Sequence, residues 1–194
     1  MMPRRGRLLV ISAPSGTGKS TLIGRACREL PGLWHSVSAT TRPPRPGEED
    51  GRHYHFLSRE GFEEGTGRGE LLEWARVYGD YYGTPRRPLE EKRESGTDIL
   101  LDLDVQGARR VKELEPEATL IFLIPPSHAE LERRIRSRQG EPEEVVERRL
   151  REAEEEMTHR GEYDHVIVND DLERALEELK GLILARRTGE EGSP

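Results

Sequence analysis

Arg7-Leu8-Leu9-Val10-Ile11-Ser12-Ala13-Pro14-Ser15-Gly16-Thr17-Gly18-Lys19-Ser20 reads as an apolar run, a glycine-containing turn and the start of a helix. The run Arg7–Ser12 shows no polar alternation, as expected of a strand covered on both faces. Ala13–Ser20 then places Gly16 and Gly18 before a lysine and a hydroxyl. This is the pattern of a phosphate-binding loop, with Ala13 where a glycine normally stands. In such a loop successive backbone N–H groups turn inward around phosphate oxygens, and the positive end of the following helix adds to the same point. Lys19 is expected to reach the β- and γ-phosphates, and the Ser20 hydroxyl to hold Mg²⁺. A Gly-Lys-Ser/Thr triplet should occur by chance about 0.04 times in a chain of this composition. The stretch therefore predicts a chain that binds a nucleoside triphosphate, or descends from one that did.

Three more apolar runs read as parallel strands: Asp98–Leu103, Thr119–Ile124 and His165–Asn169. Helical patterns lie between them, at Ser20–Leu30, at Val105–Leu114 and from Ser127 onward. In the last helix, Asp171 to about Arg186, Leu172, Ala175, Leu176, Leu179, Leu182 and Ile183 form one stripe, with Asp170 or Asp171 as its cap. Strands alternating with helices imply an α/β fold of three layers, α/β/α, with a parallel sheet. The rhythm breaks over about 36–88, where Gly and Pro turns and most tyrosines predict a small inserted lobe with its own sheet. The expected organisation is a single domain over 1–194. Its core is about 5–35, 96–125 and 160–187, its helical lid about 127–158, and its tail 188–194 is frayed.

A chain of 194 residues can bury a sizeable core in one domain. With a net charge of −7 it is not expected to bind nucleic acid, which rewards a basic surface. No apolar stretch approaches the roughly 20 residues needed to span a bilayer, so no membrane partner is expected. Met1-Met2-Pro3-Arg4-Arg5 leads into too short an apolar run for a signal peptide. Cys27 is the single cysteine, which excludes an internal disulfide and a multi-cysteine metal site, and fits a cytoplasmic setting. The histidines show no metal-protease spacing. Nothing in the sequence separates a monomer from a homo-oligomer. No Asn-Lys-x-Asp segment of the kind with which GTPases read guanine is present; Asn169-Asp170-Asp171 lacks the lysine.

The lobe supplies a second set of motifs. Ser36-Val37-Ser38-Ala39-Thr40-Thr41-Arg42-Pro43-Pro44-Arg45-Pro46-Gly47-Glu48 sets two arginines three apart in a proline-stiffened turn. Gly51-Arg52-His53-Tyr54, Leu72-Glu73-Trp74 and Gly79-Asp80-Tyr81-Tyr82-Gly83-Thr84 follow, then Leu101-Asp102-Leu103-Asp104-Val105-Gln106-Gly107. Together with the phosphate-binding loop, these motifs strongly resemble the guanylate kinase family from about Arg7 to Arg186. The resemblance implies ATP as phosphoryl donor, GMP as acceptor and Mg²⁺ as cofactor. It assigns the GMP phosphate to Arg42, Arg45, Tyr54 and Tyr82, which suit a dianion chemically. It assigns the guanine edge to Glu73, with the Ser38 and Thr84 hydroxyls at O6. Asp102 is expected to hold Mg²⁺ through water and Asp104 to touch the acceptor. The alternative for this pair is capping of the helix at Val105.

After Pro125-Pro126-Ser127 comes an arginine-rich helix, a break at Gln139-Gly140-Glu141-Pro142, and a second helix. This resembles the family's lid, with Arg134, Arg138 and Arg149 neutralising charge on the transferring phosphoryl group. Arg133, Arg136, Arg148 and Arg151 are expected to pair with neighbouring glutamates instead. The expected function is ATP-dependent phosphorylation of GMP and dGMP by direct in-line transfer. The alternatives are a non-catalytic phosphopeptide-binding module of the same lineage, or a related kinase with another small acceptor.

Overall fold

The computed structural model describes residues 4–77, 79–137 and 142–188. In chain order the elements begin with β1 (Leu8–Ser12), α1 (Lys19–Glu29), β2 (Leu33–His35), β3 (Ala39–Thr40) and β4 (His55–Phe56). There follow α2 (Arg59–Gly67), β5 (Leu71–Val77), β6 (Asp80–Pro85), α3 (Arg86–Glu94), β7 (Asp98–Asp102) and α4 (Val105–Leu114). The last are β8 (Thr119–Ile124), α5 (His128–Arg136), α6 (Glu143–Thr158), β9 (His165–Val168) and α7 (Leu172–Thr188). The fold is α/β: β2 pairs in parallel with β7, β1, β8 and β9 run in parallel in that order, and a separate four-stranded sheet has the order β4-β3-β6-β5.

The described residues group into two compact units: one holds those up to Leu8 and Gly32–Ala118, the other Leu9–Pro31 and those from Thr119 on. In the second unit, β1 and β8 pair in parallel with Leu9 opposite Thr119, and β8 and β9 with Ile121 opposite His165. Every residue of β1 and five of six in β8 are buried, as their unbroken apolar runs require. Helix α7 buries Ala175, Leu176, Leu179 and Ile183, and the Asp171 carboxylate caps it by accepting from the Arg174 N–H at 2.9 Å. Strand β9 differs from expectation: Val166 and Val168 are exposed and only Ile167 is buried, because β9 lies at the sheet's edge. Between α5 and α6, Leu131, Ile135, Val146 and Ala153 form their own apolar cluster.

In the first unit, β2 and β7 pair in parallel, while β3 lies parallel to β4 and antiparallel to β6. The β5–β6 hairpin shifts register between Leu71 and Trp74. Helix α2 is capped by Ser58, whose hydroxyl accepts from the Gly61 N–H at 3.0 Å. Among the described residues no helix is long and apolar enough to cross a membrane.

Candidate active site

The loop after β1 ends in a helix with no side-chain cap. Gly18 occupies the N-cap of α1 in the left-handed conformation, φ 95°, and the first turn carries no acidic side chain. No side chain of the cap or of the first turn competes with an outside anion at this positive helix end. By contrast, α2, α4 and α5 close on the side chains of Ser58, Asp104 and Ser127. Gly16 is also left-handed, φ 90°, and Thr17 closes the turn by donating from its hydroxyl to the Pro14 carbonyl at 2.8 Å. Lys19 is half-buried, and Ser15 and Ser20 are exposed.

The Thr17 carbonyl is held from outside the loop. Asn169, at the end of β9, donates from Nδ2 at 2.6 Å, and Arg134 donates from Nη1 at 3.3 Å. Arg134 also donates to the Asn169 carbonyl at 3.1 Å and pairs with Glu130 at 2.7 Å. A Cβ at position 18 would stand 2.7 Å from Asn169 Nδ2, so both backbone conformation and close approach require glycine there. Arg134 thus braces the loop from α5, while Arg149 is half-buried on α6. Arg138 and Gln139 lie outside the described residues. Arg133 pairs with Glu130, Arg136 with Glu132 and Glu143, Arg148 with Glu152 and Arg151 with Glu147, as expected.

The other unit holds two polar groupings. In the first, Glu73 on β5 is 4% exposed and accepts from the Thr84 hydroxyl at 2.6 Å. Glu73 sits in the hairpin's register shift, where an irregular strand re-aims its side chains. Burial pushes its carboxyl up to about 7; the Thr84 bond opposes this and the neighbouring Asp104 charge adds to it. Gly107 of α4 lies against this carboxylate, at a distance where a Cβ would stand 3.4 Å from Glu73 Oε2. Asp104 is the N-cap of α4 and accepts from the Gly107 N–H at 2.8 Å. Because β7 ends at Asp102, strand alternation does not make these two aspartates share a face. Asp104 performs the capping that the sequence left as its alternative, and its carboxylate stays beside Glu73. Asp102 is half-buried.

The second grouping surrounds Arg42, two residues past β3. Its guanidinium lies 5.4 Å from the Tyr54 ring centre and 5.8 Å from that of Phe56, with the Tyr82 hydroxyl beside it. The Tyr54 and Tyr82 rings meet edge to face at 6.0 Å. Glu48 pairs with Arg42 through both carboxylate oxygens, a contact the sequence did not foretell. Arg45 is exposed and Ser38 half-buried.

The profile of the guanylate kinase family matches residues 5–186. The chain belongs to the guanylate kinase family. Guanylate kinase of Rubrobacter xylanophilus is 51% identical over 191 residues, covering 98% of this chain and 99% of its own. That of Vibrio parahaemolyticus is 49% identical over 189 residues, covering 96% and 91%. The crystal structure of guanylate kinase from Anaplasma phagocytophilum superposes with a TM-score of 0.77 at 35% identity, over 95% of this chain and 88% of that one. Of the acceptor residues expected from the guanylate kinase resemblance, the structure joins Glu73, Thr84 and Asp104 in one grouping, and Arg42, Tyr54 and Tyr82 in another. The sequence assigns no role to Asn169 or to Glu48, although Glu48 closes the lobe motif that begins at Ser36.

Proposed function

We propose that this chain acts as a guanylate kinase, transferring the γ-phosphoryl group of ATP to GMP or dGMP and releasing ADP with GDP or dGDP. Members of the family take ATP and GMP as substrates. The observation that carries the reading here is the buried Glu73 carboxylate held by Thr84. Guanine presents N1–H and N2–H₂ side by side, and a carboxylate accepts from both; AMP offers no such pair. We assign O6 to the Ser38 hydroxyl, since the Thr84 proton is already engaged with Glu73. Arg42, Arg45, Tyr54 and Tyr82 are assigned to the acceptor phosphate, and Asp104 to the acceptor beside Glu73.

The acceptor's phosphate oxygen is already anionic near neutral pH, so no general base is needed. That oxygen bonds to the γ-phosphorus while the bond from phosphorus to the β,γ-bridging oxygen breaks, and its electrons leave with ADP. The protein's work is alignment and charge neutralisation. Loop residues Ala13, Pro14, Ser15, Gly16, Thr17 and Gly18 receive the donor phosphates. Lys19, Arg134, Arg138 and Arg149 offset the charge on the group in flight.

Ser20 and Asp102 offer the hard oxygen donors that Mg²⁺ favours. Among the described residues no cluster of three His, Cys, Asp or Glu side chains would enclose a metal. A cation held mainly by phosphates and water suits that sparse set. When bound, Mg²⁺ supplies positive charge to the donor phosphates. We further assign 36–88 as the GMP lobe, 127–158 as the lid, and a cytoplasmic setting with small molecules rather than nucleic acid or membrane as partners. The test is ADP release with ATP and Mg²⁺, with and without GMP. GMP-dependent release of one GDP per ADP supports the reading. No turnover on any nucleoside monophosphate supports the non-catalytic binding module instead.

A further inference from the structure

Arg42 is the guanidinium assigned to the acceptor phosphate, yet its far end is already occupied. Nη2 donates to Glu48 Oε1 at 2.9 Å, and Nη1 donates to Oε2 at 3.0 Å and to the Pro43 carbonyl at 2.7 Å. Glu48 is fixed in turn, because its Oε2 also accepts from the Arg45 N–H at 2.7 Å. Both side chains are largely withdrawn from water, at 13% exposure for Arg42 and 18% for Glu48. A guanidinium has five N–H groups in one plane. Three are taken by these bonds, which leaves Nε–H and one Nη2–H together on the opposite edge. Two such parallel donors match two oxygens of a phosphate. The Tyr82 hydroxyl lies beside this guanidinium and can donate its proton to an anion there.

We infer that Glu48 is a positioning residue for acceptor binding: by gripping the end of Arg42 and the Arg45 backbone, it aims the remaining edge of the guanidinium at the acceptor's phosphate. This rests on the guanylate kinase reading and extends it to a residue that need not touch substrate. A freely rotating arginine would have to be ordered by each incoming GMP; here the ordering is done in advance.

Glu48→Gln tests it, because the amide places a donor against one guanidinium N–H and ends the two-point grip. The expected result is a rise of about tenfold or more in KM for GMP, with kcat and KM for ATP changed less than about threefold. Guanosine, which lacks the phosphate, should inhibit wild type and variant with the same constant. In an Arg42→Ala background the Glu48→Gln change should add little, since its effect passes through Arg42. An unchanged or lowered KM for GMP in Glu48→Gln would overturn the inference, the lowered value marking Glu48 as a competitor of the phosphate. Equal weakening of guanosine would also overturn it, by showing general damage to the lobe. If the wild type does not phosphorylate GMP, the functional reading itself falls, and the inference with it.

Discussion

The Thr84 hydroxyl donates to Glu73 Oε1 at 2.6 Å in a place where Thr84 is wholly buried and Glu73 nearly so. One hydroxyl does not compensate a buried carboxylate, and the neighbouring Asp104 makes ionisation harder still. The free protein therefore holds Glu73 near its midpoint at neutral pH. The two donors of guanine are what the ionised form lacks.

The pH dependence of acceptor use follows. With a folded value of about 7, Glu73 passes from mostly ionised at pH 8 to mostly protonated at pH 6. Only the carboxylate accepts both guanine donors, so kcat/KM for GMP should fall about tenfold across that interval. KM for ATP should stay flat. The acceptor phosphate's own titration near pH 6 is shared by every variant; the step near 7 should vanish in Glu73→Gln.

Stability and function should move oppositely in Glu73→Gln. A carboxyl whose folded value is raised contributes stability below its unfolded value, about 4.5, and that contribution is lost as pH rises through about 7. At pH 8 the ionised side chain is thus a burden on the empty protein, of up to about 3 kcal/mol. Gln keeps an oxygen for Thr84 and carries no charge. Thermal unfolding at pH 8 should occur several degrees higher in the variant, while kcat/KM for GMP drops by at least about 100-fold and ATP binding is unchanged. A matching loss of ATP binding would remove Glu73 from the acceptor site.

On the donor side, Asn169→Ala removes the 2.6 Å bond to the Thr17 carbonyl. The carbonyl keeps only the longer Arg134 contact at 3.3 Å. A lost buried hydrogen bond of this kind costs about 1–2 kcal/mol. KM for ATP should rise roughly tenfold with GMP inhibition constants unaltered, as steady-state kinetics with both substrates varied would show.

Much of this was legible in the residues, for identifiable reasons. Strand β8 matched its run Thr119–Ile124 because a strand covered on both faces leaves no polar interruption. The same rule misread β9, since apolar composition does not tell an edge from a centre. Helices α2 and α3 escaped notice: α2 is threaded with glycines, and α3 is charged except for Pro88 and the buried Leu89. With one apolar anchor there is no period to see. For Asp104 the sequence leaves acceptor contact and helix capping both open, and the capping becomes plain only because β7 stops two residues earlier. Glu48 closes a quoted lobe motif, yet its role is unreadable in sequence, because a glutamate after a proline-rich turn looks like any solvated charge. Its meaning comes from the arginine that the turn folds back onto it.

The central claim is that a buried acid selects guanine. Initial rates of ADP release with saturating ATP and Mg²⁺, at pH 8, over GMP, dGMP, AMP, CMP and UMP measure this most directly. The account predicts turnover on GMP and dGMP and rates lower by about 10⁴-fold in kcat/KM on the other three, whose edges leave Glu73 unpaired. Comparable turnover on AMP and GMP would contradict it.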